Sequence, residues 1–238
     1  MQAMIFAAGL GTRFKPWTDH HPKALAIVNG KSLLQRNIEY LQRYYITEVI
    51  VNVHHFADQI IEAVENNHGW GSDVIISDER NEVLETGGGL MKARHLFKHN
   101  EPFITMNADV LTDLSIKDML KYHSQHKADI SLAISNRASS RRFLWDEENR
   151  LVGWENENTG EQKIKREATI ARSMAFNCVT IYQPNIFDAI PQQGKFSLTE
   201  TFLSLASIHR IMGYEQISGN FIDVGKPESV PVAEGMFI

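Results

Sequence analysis

The run Ala3-Met4-Ile5-Phe6-Ala7 is apolar at every position and breaks at Gly9. Unbroken apolarity over so few residues predicts a strand buried on both faces, as in a parallel sheet. The period then changes. Leu33, Leu34, Ile38, Leu41 and Tyr45 recur at helical spacing behind Ser32, which predicts an amphipathic helix over 32–45 with the serine as its cap. The β-branched stretch EVIVNV (48–53) predicts a strand and ADQIIEAVEN (57–66) a helix. Further strands are expected at DVIIS (73–77), PFITMN (102–107) and DISLAIS (129–135), with helices at 88–98 and 115–126 between them.

Strand and helix alternate in this way as far as residue 135, which predicts βαβ units with right-handed crossovers. The expected fold class is α/β: a Rossmann-like, doubly wound, mostly parallel sheet with helices on both faces. Beyond residue 140 the pattern roughens into polar, strand-like pieces such as RLVGWEN (150–156) and SMAFNCVTIY (173–182). A helix pair at 199–211 and 227–235 brackets the strand NFIDVG. The chain therefore reads as a single domain, 1–238. It has a core over 1–135, a smaller β-rich cap or insertion over 136–222 and a closing segment over 223–238.

Composition narrows the function. A formal net charge of −5 argues against a nucleic-acid binder held by phosphate attraction, so any phosphate site must be local. The single cysteine, Cys178, excludes an internal disulfide and a multi-cysteine zinc site. No cationic leader and no run long enough for a membrane span is present, and the cytoplasm is the expected compartment. His123 and His126 share a helical face but have no third ligand nearby and read as a solvated helix end.

The candidate chemistry begins where the first strand ends. In AAGLGTRFKPWT (7–18), Gly9 and Gly11 expose backbone N–H groups, Arg13 adds a planar cationic fork, and Lys15 and Lys23 add mobile charges. Such a loop suits a polyphosphate, although a GxG after a first strand can also be a plain tight turn. A dinucleotide fingerprint would need glycine where Phe14 stands, and a phosphate-binding P-loop ending in GKS (30–32) would need glycine at Leu25. Asp109 and Asp223 each follow a predicted strand. If those strands run parallel, both carboxylates reach one sheet edge, where they could share Mg²⁺ or serve only as loop hydrogen-bonders.

Read together, AAGLGTRFKPWT and Pro22-Lys23 resemble the signature G-x-G-T-R-x-x-P-x-T followed by P-K of the sugar-1-phosphate nucleotidylyltransferases. LETGGG (84–89), NAD (107–109) and FIDVGKPE (221–228) extend the resemblance in the family's order. LETGGG is similar to the short members that make UDP-N-acetylmuramic acid from N-acetylmuramate 1-phosphate in cell-wall recycling. The resemblance implies a nucleotide-binding core, a sugar-binding cap and a C-terminal metal-site segment. Its substrates would be a nucleoside triphosphate, UTP first, and a sugar 1-phosphate; nucleic acid and membrane are not expected partners, and the oligomeric state stays open.

By the same resemblance, Arg13 and the loop of Ala8, Gly9, Gly11 and Thr12 would hold the β- and γ-phosphates, and Lys23 would approach the α-phosphate. Glu85, Thr86, Gly87 and Gly88 would border the base, with the glycines' bare backbone close to it. Asp109 and Asp223 would bind Mg²⁺, with Asn107 beside them where many members have glycine. Asn177 would contact the sugar or only satisfy backbone in a cap strand. Mannose-1-phosphate guanylyltransferase, phosphocholine cytidylyltransferase and a non-catalytic nucleotide-sugar sensor are the alternatives.

Overall fold

In the computed structural model, which describes residues 1–238, the first apolar run forms β1 (Ala3–Phe6), buried throughout. A ribbon of β2 (Ile27–Val28) and β3 (Lys31–Ser32) leads into α1 (Leu33–Gln42), where Ser32 Oγ accepts from the Gln35 amide as the expected cap. There follow β4 (Glu48–Val53), α2 (Ala57–Asn66), β5 (Asp73–Asp78), α3 (Glu85–Lys92), β6 (Phe103–Asn107), β7 (Val110–Thr112), α4 (Ile116–Gln125) and β8 (Ile130–Ser135). The remainder comprises β9 (Arg141–Trp145), β10 (Leu151–Asn156), β11 (Glu161–Ile164), β12 (Arg172–Tyr182), α5 (Ile186–Ala189), α6 (Leu198–Leu205), β13 (Ile211–Glu215), β14 (Phe221–Asp223) and α7 (Ser229–Met236).

The central sheet runs β5-β4-β1-β6-β12-β8-β13, and β12 alone is antiparallel to its neighbours. Side chains alternate across β1: Ala3 and Ile5 pack with Leu34, Ile38, Ile60 and Met119 on one face, Met4 and Phe6 with Leu90, Phe97 and Phe202 on the other. Both faces are covered by helices, which explains the continuous apolar strands. Each such large side chain, fully buried, contributes roughly 1.5–3 kcal/mol to the core. Strand order reverses between β1 and β6, because the chain builds β4 and β5 on one side before crossing to the other. A crevice therefore opens above the carboxyl ends of β1 and β6.

The helix expected over 88–98 starts earlier, at Glu85, and tightens into a 3₁₀ turn over Ala93–Leu96. The helix expected to reach 211 stops at Leu205, and Ile211–Glu215 instead forms β13, parallel to β8. Gly213 lies against Ile134 and Trp145, so strand packing decides that segment rather than its local pattern. Within 136–222, the antiparallel strands β9, β10 and β11 form a side sheet. The same stretch also sends β12 into the central sheet: Arg172–Met174 pair with β9 and Val179–Tyr182 with β6. No helix is long and apolar enough to cross a membrane.

Candidate active site

The loop leaving β1 is held from below. The Ala7 amide donates to Asn52 Oδ1 at 2.8 Å, and the Phe14 amide closes a turn on the Gly11 carbonyl, also at 2.8 Å. Gly11 has φ of 61°, and a Cβ there would lie 2.8 Å from Thr18 Cγ2, so both conformation and space require glycine. Phe14 is buried with Val28, Leu33, Leu111 and Val224, which anchors the turn and leaves Arg13 pointing outward, its side chain 60% exposed.

Lys23 follows Pro22 in a 3₁₀ turn, and its side chain is only 10% exposed. Its Nζ donates to Asp109 Oδ2. Asp109 lies just beyond β6, where the Ala108 amide donates to the Phe6 carbonyl and the Val224 amide donates to the Asp109 carbonyl. Asp223 pairs across from Val110 in an antiparallel ribbon of β14 and β7. The backbone at Asp223 therefore runs beside that at Asp109, but not by the expected route of two parallel strand ends: a short ribbon beside the main sheet delivers Asp223. Arg13 Nη2 stands 3.8 Å from Asp223 Oδ2. Partial burial, and after it the neighbouring Asp109, hold the Asp223 carboxyl above the ordinary carboxylate range.

Three cavities neighbour one another: Phe6, Gly9 and Thr86 border the first two, and Glu85 the second and third. The innermost, about 130 Å³, is bounded by Gly9, Lys23, Thr86, Asn107 and Asp109. Beside it a cavity of about 300 Å³ lies between the glycine loop (Ala8 to Thr12) and the segment Val83 to Thr86, with Asn52 and Glu79 among its walls. The widest, about 850 Å³, extends under the β9–β10 hairpin and is bordered by Arg13, Asp223, Arg137, Arg141 and Lys163. Lys23 and Asp109 thus border the innermost space, and Arg13 and Asp223 the widest. Two adjacent carboxylates are the hard-oxygen donor set that Mg²⁺ takes when substrate phosphates and water complete its shell, so the residues fit that ion.

Several expected site residues are placed differently. Glu85 and Thr86 border the crevice, but Gly87 and Gly88 turn their bare backbone onto other parts of the protein: a Cβ on Gly87 would lie 2.4 Å from the Phe196 ring and one on Gly88 2.2 Å from the Gly194 carbonyl oxygen. Both of their amides donate to the Phe196 carbonyl. Their amides and bare faces are thus taken up by packing rather than left open to a base. Asn177, 1% exposed, accepts from Ser135 Oγ and Arg137 Nε and donates to Gln216 Oε1, which leaves its side chain occupied. Asn107 lines the innermost cavity as expected. Lys15 pairs with Asp19 at 2.8 Å rather than reaching the crevice. Burial pushes the Cys178 thiol up to about 12, in keeping with an inert residue.

Sequence reasoning missed Asn52, Glu79 and Arg137. Asn52 carried a signal, being the polar residue set between valines in the strand EVIVNV. Arg137 donates to the Phe176 carbonyl at 2.7 Å and lies over the Phe221 ring at 4.8 Å, contacts between segments far apart in sequence. Burial raises the Glu79 carboxyl above its ordinary range, opposed by a hydrogen bond from Asn52.

Comparison with known proteins matches residues 2–143 to the family model described as Nucleotidyl transferase. N-acetylmuramate alpha-1-phosphate uridylyltransferase of Caulobacter vibrioides is 31% identical over 98% of this chain and 95% of its own length. Mannose-1-phosphate guanyltransferase beta-A of Xenopus laevis is 27% identical over 100% of this chain, which spans only 65% of that relative. In structure, HddC from Yersinia pseudotuberculosis complexed with GMP-PN superposes with a TM-score of 0.80 at 24% identity, covering 100% of this chain and 99% of that one. This last likeness establishes the fold.

Proposed function

The chain belongs to the nucleotidyl transferase family, and we propose that it transfers the uridylyl group of UTP to N-acetylmuramate 1-phosphate in the cytoplasm, releasing pyrophosphate. One observation carries the proposal: the side-chain-poor loop, Lys23 with Asp109, and Arg13 with Asp223 border neighbouring cavities at the strand-order reversal. Full-length similarity to the uridylyltransferase, against partial coverage of the guanyltransferase, favours the uridylyl reading.

In the reaction an oxygen of the sugar phosphate attacks the α-phosphorus. The bond from that phosphorus to the bridging oxygen breaks, and its electron pair leaves with pyrophosphate. No side chain has to remove a proton, because a phosphate monoester, with a second pKa of about 6, is mostly dianionic at neutral pH. The chain's task is to bring two polyanions together and to offset charge that builds on the leaving group. The Gly9 to Thr12 amides and Arg13 hold the β- and γ-phosphates. Lys23, shielded and already oriented by Asp109, faces the α-phosphate. Asp109 and Asp223 would hold Mg²⁺, which when bound neutralises phosphate charge. The wide cavity under the β9–β10 hairpin receives the sugar.

The test is pyrophosphate release from each nucleoside triphosphate paired with a panel of sugar 1-phosphates. UTP with N-acetylmuramate 1-phosphate is expected to be turned over best, and Lys23→Ala to lower that rate by about 10²–10³-fold with the fold retained by circular dichroism. Better turnover of GTP with mannose 1-phosphate would replace the uridylyl reading. Silence with every pair, alongside tight binding of a nucleotide sugar, would make the protein a sensor and overturn the enzymatic reading.

A further inference from the structure

Just past β8, the wide cavity is bordered by a cation that the fold holds in place and leaves without a counter-charge. Arg137 is half-buried, and three hydrogen bonds fix its guanidinium: Nε donates to Asn177 Oδ1 at 3.2 Å, Nη1 to the Ala138 carbonyl at 3.3 Å and Nη2 to the Phe176 carbonyl at 2.7 Å. Asn177 is itself enclosed and cannot turn, since its Oδ1 also accepts from Ser135 Oγ and its Nδ2 donates to Gln216 Oε1. The guanidinium lies over the Phe221 ring at 4.8 Å. Phe221 and Asp223 stand two apart on β14 and share a face, so Arg137 sits on the side of the ribbon that carries Asp223 and Arg13.

The other cations of this cavity are held differently. Arg13 faces Asp223 at 3.8 Å, Lys163 pairs with Glu161 at 3.1 Å, and Arg141 is exposed on the hairpin. Arg137 is anchored, yet no carboxylate pairs with it. A guanidinium has five N–H groups, so three bonds within the protein leave two for a ligand. A permanent charge with two free donors suits a phosphate, which it can grip through two oxygens at once. In the reaction proposed above, Arg13 and Lys23 serve the phosphates of the nucleotide, and the incoming phosphate still lacks a cation of its own.

We infer that Arg137 holds the phosphate of the sugar 1-phosphate through two of its oxygens and leaves the third to attack the α-phosphorus. No proton moves to or from the guanidinium: the new bond forms from that third oxygen while the bond to pyrophosphate breaks, and Arg137 stays charged throughout. The inference rests on the nucleotidyl-transfer reading and names the residue that receives its second substrate.

The experiment is initial-rate kinetics of the full chain with the best pair of substrates from the panel, alongside calorimetric binding of the nucleoside triphosphate. Arg137→Ala is expected to lower kcat/KM for the sugar 1-phosphate about tenfold to a hundredfold, chiefly through KM, while nucleotide binding is unchanged. Arg137→Lys keeps the charge but not the fork, and is expected to show a smaller loss in the same parameter with nucleotide binding again unchanged. Should Arg137→Ala fail to fold, Arg137→Lys decides alone. An unaltered kcat/KM for the sugar 1-phosphate, or a loss of nucleotide binding as large as the loss for the sugar, would overturn the inference and leave nucleotidyl transfer standing. Silence of the unmodified protein with every pair would overturn the transfer reading itself, and this inference with it.

Discussion

A side chain at Gly9 would meet nothing within 4 Å, whereas one at Gly88 would come within 2.2 Å of a backbone carbonyl oxygen. The loop after β1 and the first turns of α3 are both glycine-bearing segments on the rim of the same crevice. Yet in the loop the missing side chain leaves open space, and in the helix it lets the chain close on itself. Gly87 and Gly88 admit Phe196 and Gly194, the Phe196 amide donates back to the Leu84 carbonyl, and the Leu198 amide donates to Thr86 Oγ1. The triplet in α3 thus joins the crevice wall to the start of α6. Glycine in a motif can leave open space at one position and serve construction at another, and only its neighbours tell which.

Substitutions can break this contrast. The largest effect on stability is expected at Gly88→Ala, where the contact is with backbone and cannot be relieved by a rotamer change: about 1–3 kcal/mol should be lost, read as a lowered urea midpoint at unchanged slope. An unmoved midpoint would mean that the 194–196 segment yields freely, and the contrast would fail. Gly11→Ala comes next, at roughly 1–2 kcal/mol for the left-handed backbone, its closest contact being with a side-chain methyl of Thr18 that can shift. Gly9→Ala should be the mildest for the fold, within about 0.5 kcal/mol, as for a surface change without neighbours. Its effect belongs to the ligand: nucleotide affinity and turnover fall although the midpoint stays. Unaltered affinity in Gly9→Ala would remove the loop from the phosphate site.

How much of this was legible in the sequence depended on how local the cause was. The glycine loop, Arg13, Lys23 and the end of β6 could be read because each feature sits within a few residues of a strand whose apolar run announces it. Asp223 could be suspected but its route could not, since β14 has three residues and gains its position only from pairing with β7. Asn177 looked available because its partners, Ser135, Arg137 and Gln216, come from two other segments. The same holds for Glu79, whose partner Asn52 comes from another strand. Helix α3 began earlier than its apolar spacing indicated, because tertiary packing of the glycines compensates for their poor helix propensity.

β12 passes without interruption from the hairpin sheet into the middle of the parallel one, with its pairing broken between Phe176 and Thr180 and Cys178 held there at φ of 56°. The roof of the wide cavity is consequently not a lid on a tether but one end of a beam clamped in the core. Any closing of that roof over a ligand must be taken up as flexure of the beam, and the irregularity at Cys178 is where its strand pairing is interrupted.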